Sequence, residues 1–225
     1  VSGAQDVAAE KPIVAIIGGT GTLGSGLAKR LAAAGHPIVI GSRSAEKAAE
    51  AAKSLATPAG ASRPRGATNA EAAKAGEIVL LTVPWGSQAQ ILDEIASHVA
   101  GKLVIDATVP LVPPRVARVQ LPPEHSAALT AQKRLGPGVR VVAAFHNVAA
   151  HKLAHDEPID CDVLVFGDDP KDREVAMALV VAAGLRGVHG GPLANSVAAE
   201  ALTSVLININ RNYKVDGAGI RITGI

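Results

Sequence analysis

Six short apolar runs recur along the chain, at residues 12–17, 37–41, 77–83, 102–106, 139–145 and 161–166, most of them without polar alternation. Strands of that kind belong to parallel sheets covered on both faces, because neither face meets water. Between them the period changes. Leu23-Leu27-Leu31, Ala45 to Leu55, Ala70 to Ala75, Ile91-Ile95-Val99 and Val175-Leu179 follow helical spacing, several in alanine-rich segments of high helix propensity. Repeated strand–helix units predict an α/β fold, a doubly wound, mainly parallel Rossmann-type sheet over residues 12–190. From Pro110 to Pro123 five prolines predict a long loop, a kind that is commonly functional. After Gly190-Gly191-Pro192, Asn195 or Ser196 can cap a helix whose Ala198, Leu202, Val205 and Ile209 mark one apolar face. Residues 191–225 are therefore expected to form a small C-terminal helical extension.

Composition narrows the function classes. Of 225 residues 48% are hydrophobic, yet no run reaches the roughly 18 apolar residues of a membrane span. Residues 1–11 carry no basic segment followed by an apolar one, so they read as a mobile leader and not as a secretory signal. A lone cysteine, Cys161, excludes an internal disulfide and fits a reducing, cytoplasmic setting. The net charge of +2 is too small for a nucleic-acid binder relying on bulk electrostatics. Between residues 111 and 140, however, Arg115, Arg118, Lys133, Arg134 and Arg140 face a single acid, Glu124. That stretch either meets an anionic ligand or is a solvated basic surface.

Gly19-Thr20-Gly21-Thr22-Leu23-Gly24 is a GxGxxG that follows a strand and opens a helix, the context that the dinucleotide fingerprint requires. Gly19 suits the tight turn, Gly21 lets backbone approach a pyrophosphate, and Gly24 lets the helix pack on the sheet with its N-terminus toward the phosphates. Thr20 and Thr22 add hydroxyl donors. An NAD-preferring domain places an acid about 20 residues on, at the end of the second strand. Here that strand ends in Gly41-Ser42-Arg43-Ser44, with Lys47 one helical turn later. A guanidinium fits the oxygens of a 2'-phosphate bidentately, so these residues point to NADP.

The strand through residue 83 runs into Val83-Pro84-Trp85, and ligands sit at the carboxyl ends of such strands. Trp85, Phe145 and Phe166 all fall at strand ends, beside the presumed crevice or in rim packing. His146 follows on the same edge as a polar contact or a proton donor. His151 and His155 are four apart without an evident third ligand and read as surface; no metal site is expected.

Taken together, IIGGTGTLGSGLAKRLAAAGH, IVIGSRSAEKA, IVLLTVPW, VVAAFHNVAA, VFGDD and GPLANS resemble the NADPH-dependent reductases of coenzyme F420, the F420H2:NADP oxidoreductases. The resemblance runs from Pro12 onward. It implies an enzyme transferring a hydride between NADP(H) and a deazaflavin ring, both bound as small-molecule substrates, and a homodimer. Thr20, Ser42, Arg43 and Lys47 would hold NADP, and Val83, Pro84 and Trp85 would lie beside the stacked rings. His146, Asn147 and Val148, with the turn Gly191, Pro192, Leu193, Ala194 and Asn195, would line the deazaflavin pocket. The family often has threonine, an aliphatic residue and proline after the histidine, where this chain reads Asn147-Val148-Ala149. The resemblance also implies an anionic coenzyme tail, which the basic stretch and Arg186 would meet.

Two other readings stand beside this one. An NADP-dependent imine or carbonyl reductase would use a proton donor such as Tyr-x-x-x-Lys, but the only tyrosine, Tyr213, is followed directly by Lys214. A non-catalytic NADP-binding sensor module would need the glycine turn alone.

Overall fold

β-Branched residues pack well on a pleated surface, and they dominate the inner strands of the protein. The computed structural model describes residues 11–225, so the expected leader lies outside the described residues except for Lys11, whose ammonium donates to the Ala34 carbonyl. In chain order the elements are β1 (Val14–Ile17), α1 (Thr22–Ala33), β2 (Ile38–Ser42), α2 (Ala45–Lys53), β3 (Arg65–Thr68), α3 (Asn69–Ala75), β4 (Ile78–Leu81) and α4 (Trp85–Ile95). They continue with β5 (Leu103–Asp106), α5 (Ala127–Leu135), β6 (Arg140–Ala143), β7 (Asp162–Phe166), α6 (Pro170–Ala182), β8 (Arg186–Gly191) and α7 (Ser196–Tyr213).

The strands form one sheet in the order β3-β2-β1-β4-β5-β6-β7-β8. β1 to β6 pair in parallel, with Ile17 beside both Gly41 and Leu81. The connection from 144 to 161 holds only a 3-10 turn, Ala150–Ala154, and no crossover helix. Without one the chain returns antiparallel, so β7 meets β6 at Ala143–Phe166 and β8 then follows β7 in parallel. Alternate residues feed two cores. Val14 and Ile16 pack with Leu27 and Leu31 on one face, Ala15 and Ile17 with Ile91 and Leu92 on the other.

The doubly wound sheet agrees with the pattern of apolar runs, with three additions. β3 and β8 are edge strands with no apolar run to announce them, and α5 follows the proline loop. The third concerns α7, which is inside out. It buries Ser196, Ala199, Glu200, Ser204 and Leu206, whereas Ala198 and Val205 of the expected apolar face are exposed and Leu202 and Ile209 half-buried. Asn195 stands at its N-cap, but the side-chain amide donates to the Gly190 carbonyl at 2.9 Å and caps nothing. Among the described residues no helix is long and apolar enough to cross a membrane.

Candidate functional site

The strand order reverses between β1 and β4, and a crevice for a ligand opens at such a switch point. There the β1–α1 turn is tied down by its own backbone: Gly18 and Gly19 N–H donate to the Gly41 carbonyl at 3.1 Å each, and Gly21 N–H to Gly18 at 3.0 Å. Gly18 takes a φ of +78°, which glycine adopts without strain. No side chain caps α1, and no acid occupies its first turn. The N–H groups of Thr20, Thr22, Leu23 and Gly24 consequently find no acceptor among the described residues. Thr20, Gly21 and Thr22 are exposed around them. Unpaired N–H groups converging at a helix N-terminus suit a phosphate.

At the neighbouring end of β2, Ser42 is buried and Arg43 projects into solvent. Ser44 accepts from Lys47 N–H at 3.2 Å and so starts α2, which sets Lys47 one turn from Arg43. Among the described residues neither cation has an acidic partner.

On the other side of the switch point Thr82 donates its hydroxyl to Ile17 at 2.9 Å, locking the end of β4 beside the glycine turn. Val83 is buried, Pro84 exposed, and Trp85 begins α4 half-buried. Two strands further on, His146, Asn147 and Val148 are all buried. Phe145 before them has a φ of +70°, a left-handed bend that swings the chain off β6. Burial drives the His146 imidazole down to about 4, so near neutral pH it offers one N–H and one lone pair but no imidazolium proton. Neither ring nitrogen has a partner among the described residues. Asn147 turns inward, its amide donating to the Asp162 carbonyl at 2.7 Å.

The turn Gly191 to Asn195 lies where β8 passes into α7. Leu193 is buried in the core with Phe166, its N–H on Asp168 at 3.0 Å. The α7 residue that meets the His146 loop is Thr203, which donates to the His146 carbonyl at 2.8 Å. Eight residues of helix, roughly 12 Å, separate it from Asn195. Phe145 and Phe166 are core residues and leave Trp85 as the ring nearest the crevice. Of the basic stretch, Lys133 pairs with Glu124 at 2.6 Å, Arg134 with Asp93 at 2.6 Å and Arg140 with Asp172, so most of its charge is answered within the chain. Arg186 is likewise committed, to Asp162 and the Ile225 carbonyl.

Behind the crevice lies a polar group with no apolar reason to be there: Gln88, Asp106, Ser126, Ser196 and Glu200, all buried. Gln88 donates to Asp106 at 2.6 Å, and Ser196 to Ser126 at 2.9 Å. Glu200 accepts from Ala127 and Ala128 N–H at 2.5 and 3.1 Å, capping α5 from another helix. Burial pushes Glu200 up to about 8 and Asp106 up to about 6, outweighing those bonds. One sequence signal could have found this group: Ser196, Glu200 and Ser204 recur every fourth residue, a polar stripe down one side of α7.

A sequence model described as NADP oxidoreductase, coenzyme F420-dependent, matches residues 13–110. The chain is 43% identical over 220 residues to the F420-dependent NADP reductase of Methanothermobacter thermautotrophicus, covering 94% of this chain and 95% of that one. It is 38% identical over 221 residues to the F420-dependent NADP reductase of Methanocaldococcus jannaschii, covering 94% and 98%. A solved structure from Arthrobacter sp. FB24 superposes with a TM-score of 0.77 at 24% identity, covering 95% and 99%, a likeness of fold. Identity at that level over nearly the whole length shows that the chain belongs to the F420-dependent NADP reductase family.

Proposed function

We propose that this chain transfers a hydride reversibly between NADP(H) and the deazaflavin coenzyme F420. The observation that carries the NADP half is the uncapped N-terminus of α1, with four unpaired N–H groups beside a β2 end that offers Arg43 and Lys47 in place of an acid. The N–H groups of Thr20, Thr22, Leu23 and Gly24 hold the pyrophosphate, Gly21 gives it room, and Arg43 and Lys47 hold the 2'-phosphate beside Ser42. Val83, Pro84 and Trp85 back the nicotinamide. When bound, NADPH supplies the hydride, and the deazaflavin accepts it together with a solvent proton.

The chain's own work is then binding, orientation and the exclusion of water. His146, neutral and enclosed, offers a hydrogen bond on the deazaflavin side, with Val148 as apolar wall; Asn147 holds that loop to Asp162. The turn Gly191, Pro192, Leu193, Ala194 and Asn195 seats the start of α7, and Thr203 carries that helix to the loop. The partly exposed apolar face of α7, with Val205 outermost, supports a homodimer, and the buried thiol of Cys161 suits the cytoplasm.

The test is turnover: mix the protein with NADPH and oxidised F420 and follow the deazaflavin absorbance. Stoichiometric loss of both absorbances is expected. NADPH binding without hydride transfer would overturn the reading.

A further inference from the structure

Gln88 has no exposed surface, and Glu200 almost none. Each makes one of its hydrogen bonds to the same residue of a third helix, while Gln88 Oε1 has no partner among the described residues. The Gln88 amide donates to the Ala127 carbonyl at 3.1 Å, its other hydrogen going to Asp106, and the Ala127 N–H donates to Glu200. Ala127, the first residue of α5, is thus held from α4 on one side and from α7 on the other.

What hangs on those two helices gives the arrangement its use. Gln88 lies three residues from Trp85, on the same side of α4. Glu200 lies three residues from Thr203, whose hydroxyl holds the His146 carbonyl. A continuous path therefore runs from Trp85 down one turn of α4, through Gln88, Ala127 and Glu200, and up one turn of α7 to the His146 loop. Packing alone does not ask for it. Apolar side chains of similar volume at 88 and 200 would fill the space without the cost of burying an amide and a carboxyl. What they would lose is direction, because hydrogen bonds fix spacing where apolar contacts tolerate sliding.

We propose that Gln88 and Glu200 are positioning residues for hydride transfer: through Ala127 they set the spacing between the Trp85 wall and the His146 loop. The proposal rests on the function given above, in which those two walls hold the donor and acceptor rings. Misplacement by about 1 Å costs on the order of a hundredfold in rate, so small shifts of either helix matter.

The test compares wild type, Gln88→Leu and Glu200→Gln in single-turnover reduction of F420 by NADPH and by NADPH deuterated at the transferred position, over a range of temperatures. NADPH affinity is read separately from cofactor fluorescence, and folding from the melting temperature. In both variants NADPH affinity should stay within about twofold of wild type, because the α1 cradle is untouched. The hydride step should slow roughly 10- to 100-fold, and the isotope effect should become more temperature-dependent, the sign of a poorly held donor–acceptor distance. Should Gln88→Leu not fold, Glu200→Gln, which keeps the volume, carries the test. Folded variants that transfer hydride at the wild-type rate, or slowly with a wild-type temperature dependence, would overturn the positioning role alone. A wild-type chain that transfers no hydride would overturn the functional reading and this one with it.

Discussion

Thr82 stands where a side chain on residue 24 would have to go: a Cβ on Gly24 would lie 2.6 Å from its Oγ1, and 2.7 Å from the Gly18 carbonyl oxygen. The Thr82 hydroxyl cannot step aside cheaply, because it is bonded to Ile17. Gly24→Ala should therefore push α1 off the sheet, costing about 1–3 kcal/mol of stability and roughly tenfold or more in NADPH affinity. Thr82→Ala in the same chain should restore little, since the backbone of Gly18 still obstructs. Melting temperature and fluorescence titration check both; full recovery in the double variant would show that the hydroxyl was the sole obstacle.

Arg43→Ala should weaken NADPH binding by about 1–3 kcal/mol, the worth of a charged hydrogen bond, and leave NADH binding nearly unchanged. Lys47→Ala should act in the same direction with a smaller effect, as a point charge on a flexible stem. Equal losses for both nucleotides would remove the 2'-phosphate from the explanation.

Stability should respond to pH through opposing groups between about pH 4 and 8. Glu200 ionises at about 8 in the folded chain against an ordinary value of 4.5, so unfolding releases its proton more readily and stability falls as pH rises across that interval. Asp106, raised to about 6, adds to the lower part of that fall. His146 opposes them: depressed from 6.5 to about 4, it costs stability as pH drops through that window. Glu200→Gln should remove much of the decline between pH 4.5 and 8, a change on the order of a few kcal/mol. Melting curves from pH 4 to 9 decide the matter, and an unaltered fall between pH 4.5 and 8 would show that Glu200 is not the group responsible.

The exposed face of α7 should hold two copies together. Val205, 43% exposed, lies on it with Leu202 and Ile209. Val205→Asp should shift the protein from dimer to monomer in sedimentation or light scattering while leaving its fold intact. A wild-type chain that is already monomeric at micromolar concentration would count against the dimer.

How much of this could be read from the sequence followed from where the burial cost falls. The glycine turn was legible because a tight strand-to-helix turn packed hard against the sheet demands glycine at particular places, as at Gly18 and Gly24. Inner strands were legible because burial on both faces leaves continuous apolar runs. β3 and β8 were not, for a shared reason: neighbours press on them so closely that glycine replaces the apolar signal. A Cβ on Gly66 would meet the α2 backbone at Ala48 at 2.1 Å, and one on Gly190 would meet the Phe166 ring at 2.1 Å. The orientation of α7 differs from its sequence pattern because amphipathicity says which face is apolar, not which face is inside. Ser196, Glu200 and Ser204 went inward for their bonds, and no local propensity records a partner some seventy residues away.

The reversal of direction at β7 divides the labour of the chain. Everything proposed for the nucleotide lies at or before Trp85, and everything proposed for the deazaflavin lies at or after His146. A lineage can thus inherit its nucleotide site with the first half and renegotiate the partner ring by rewriting the second. Changes of substrate within this fold should accordingly accumulate in the returning strands and the last helix, while the opening units stay as they were.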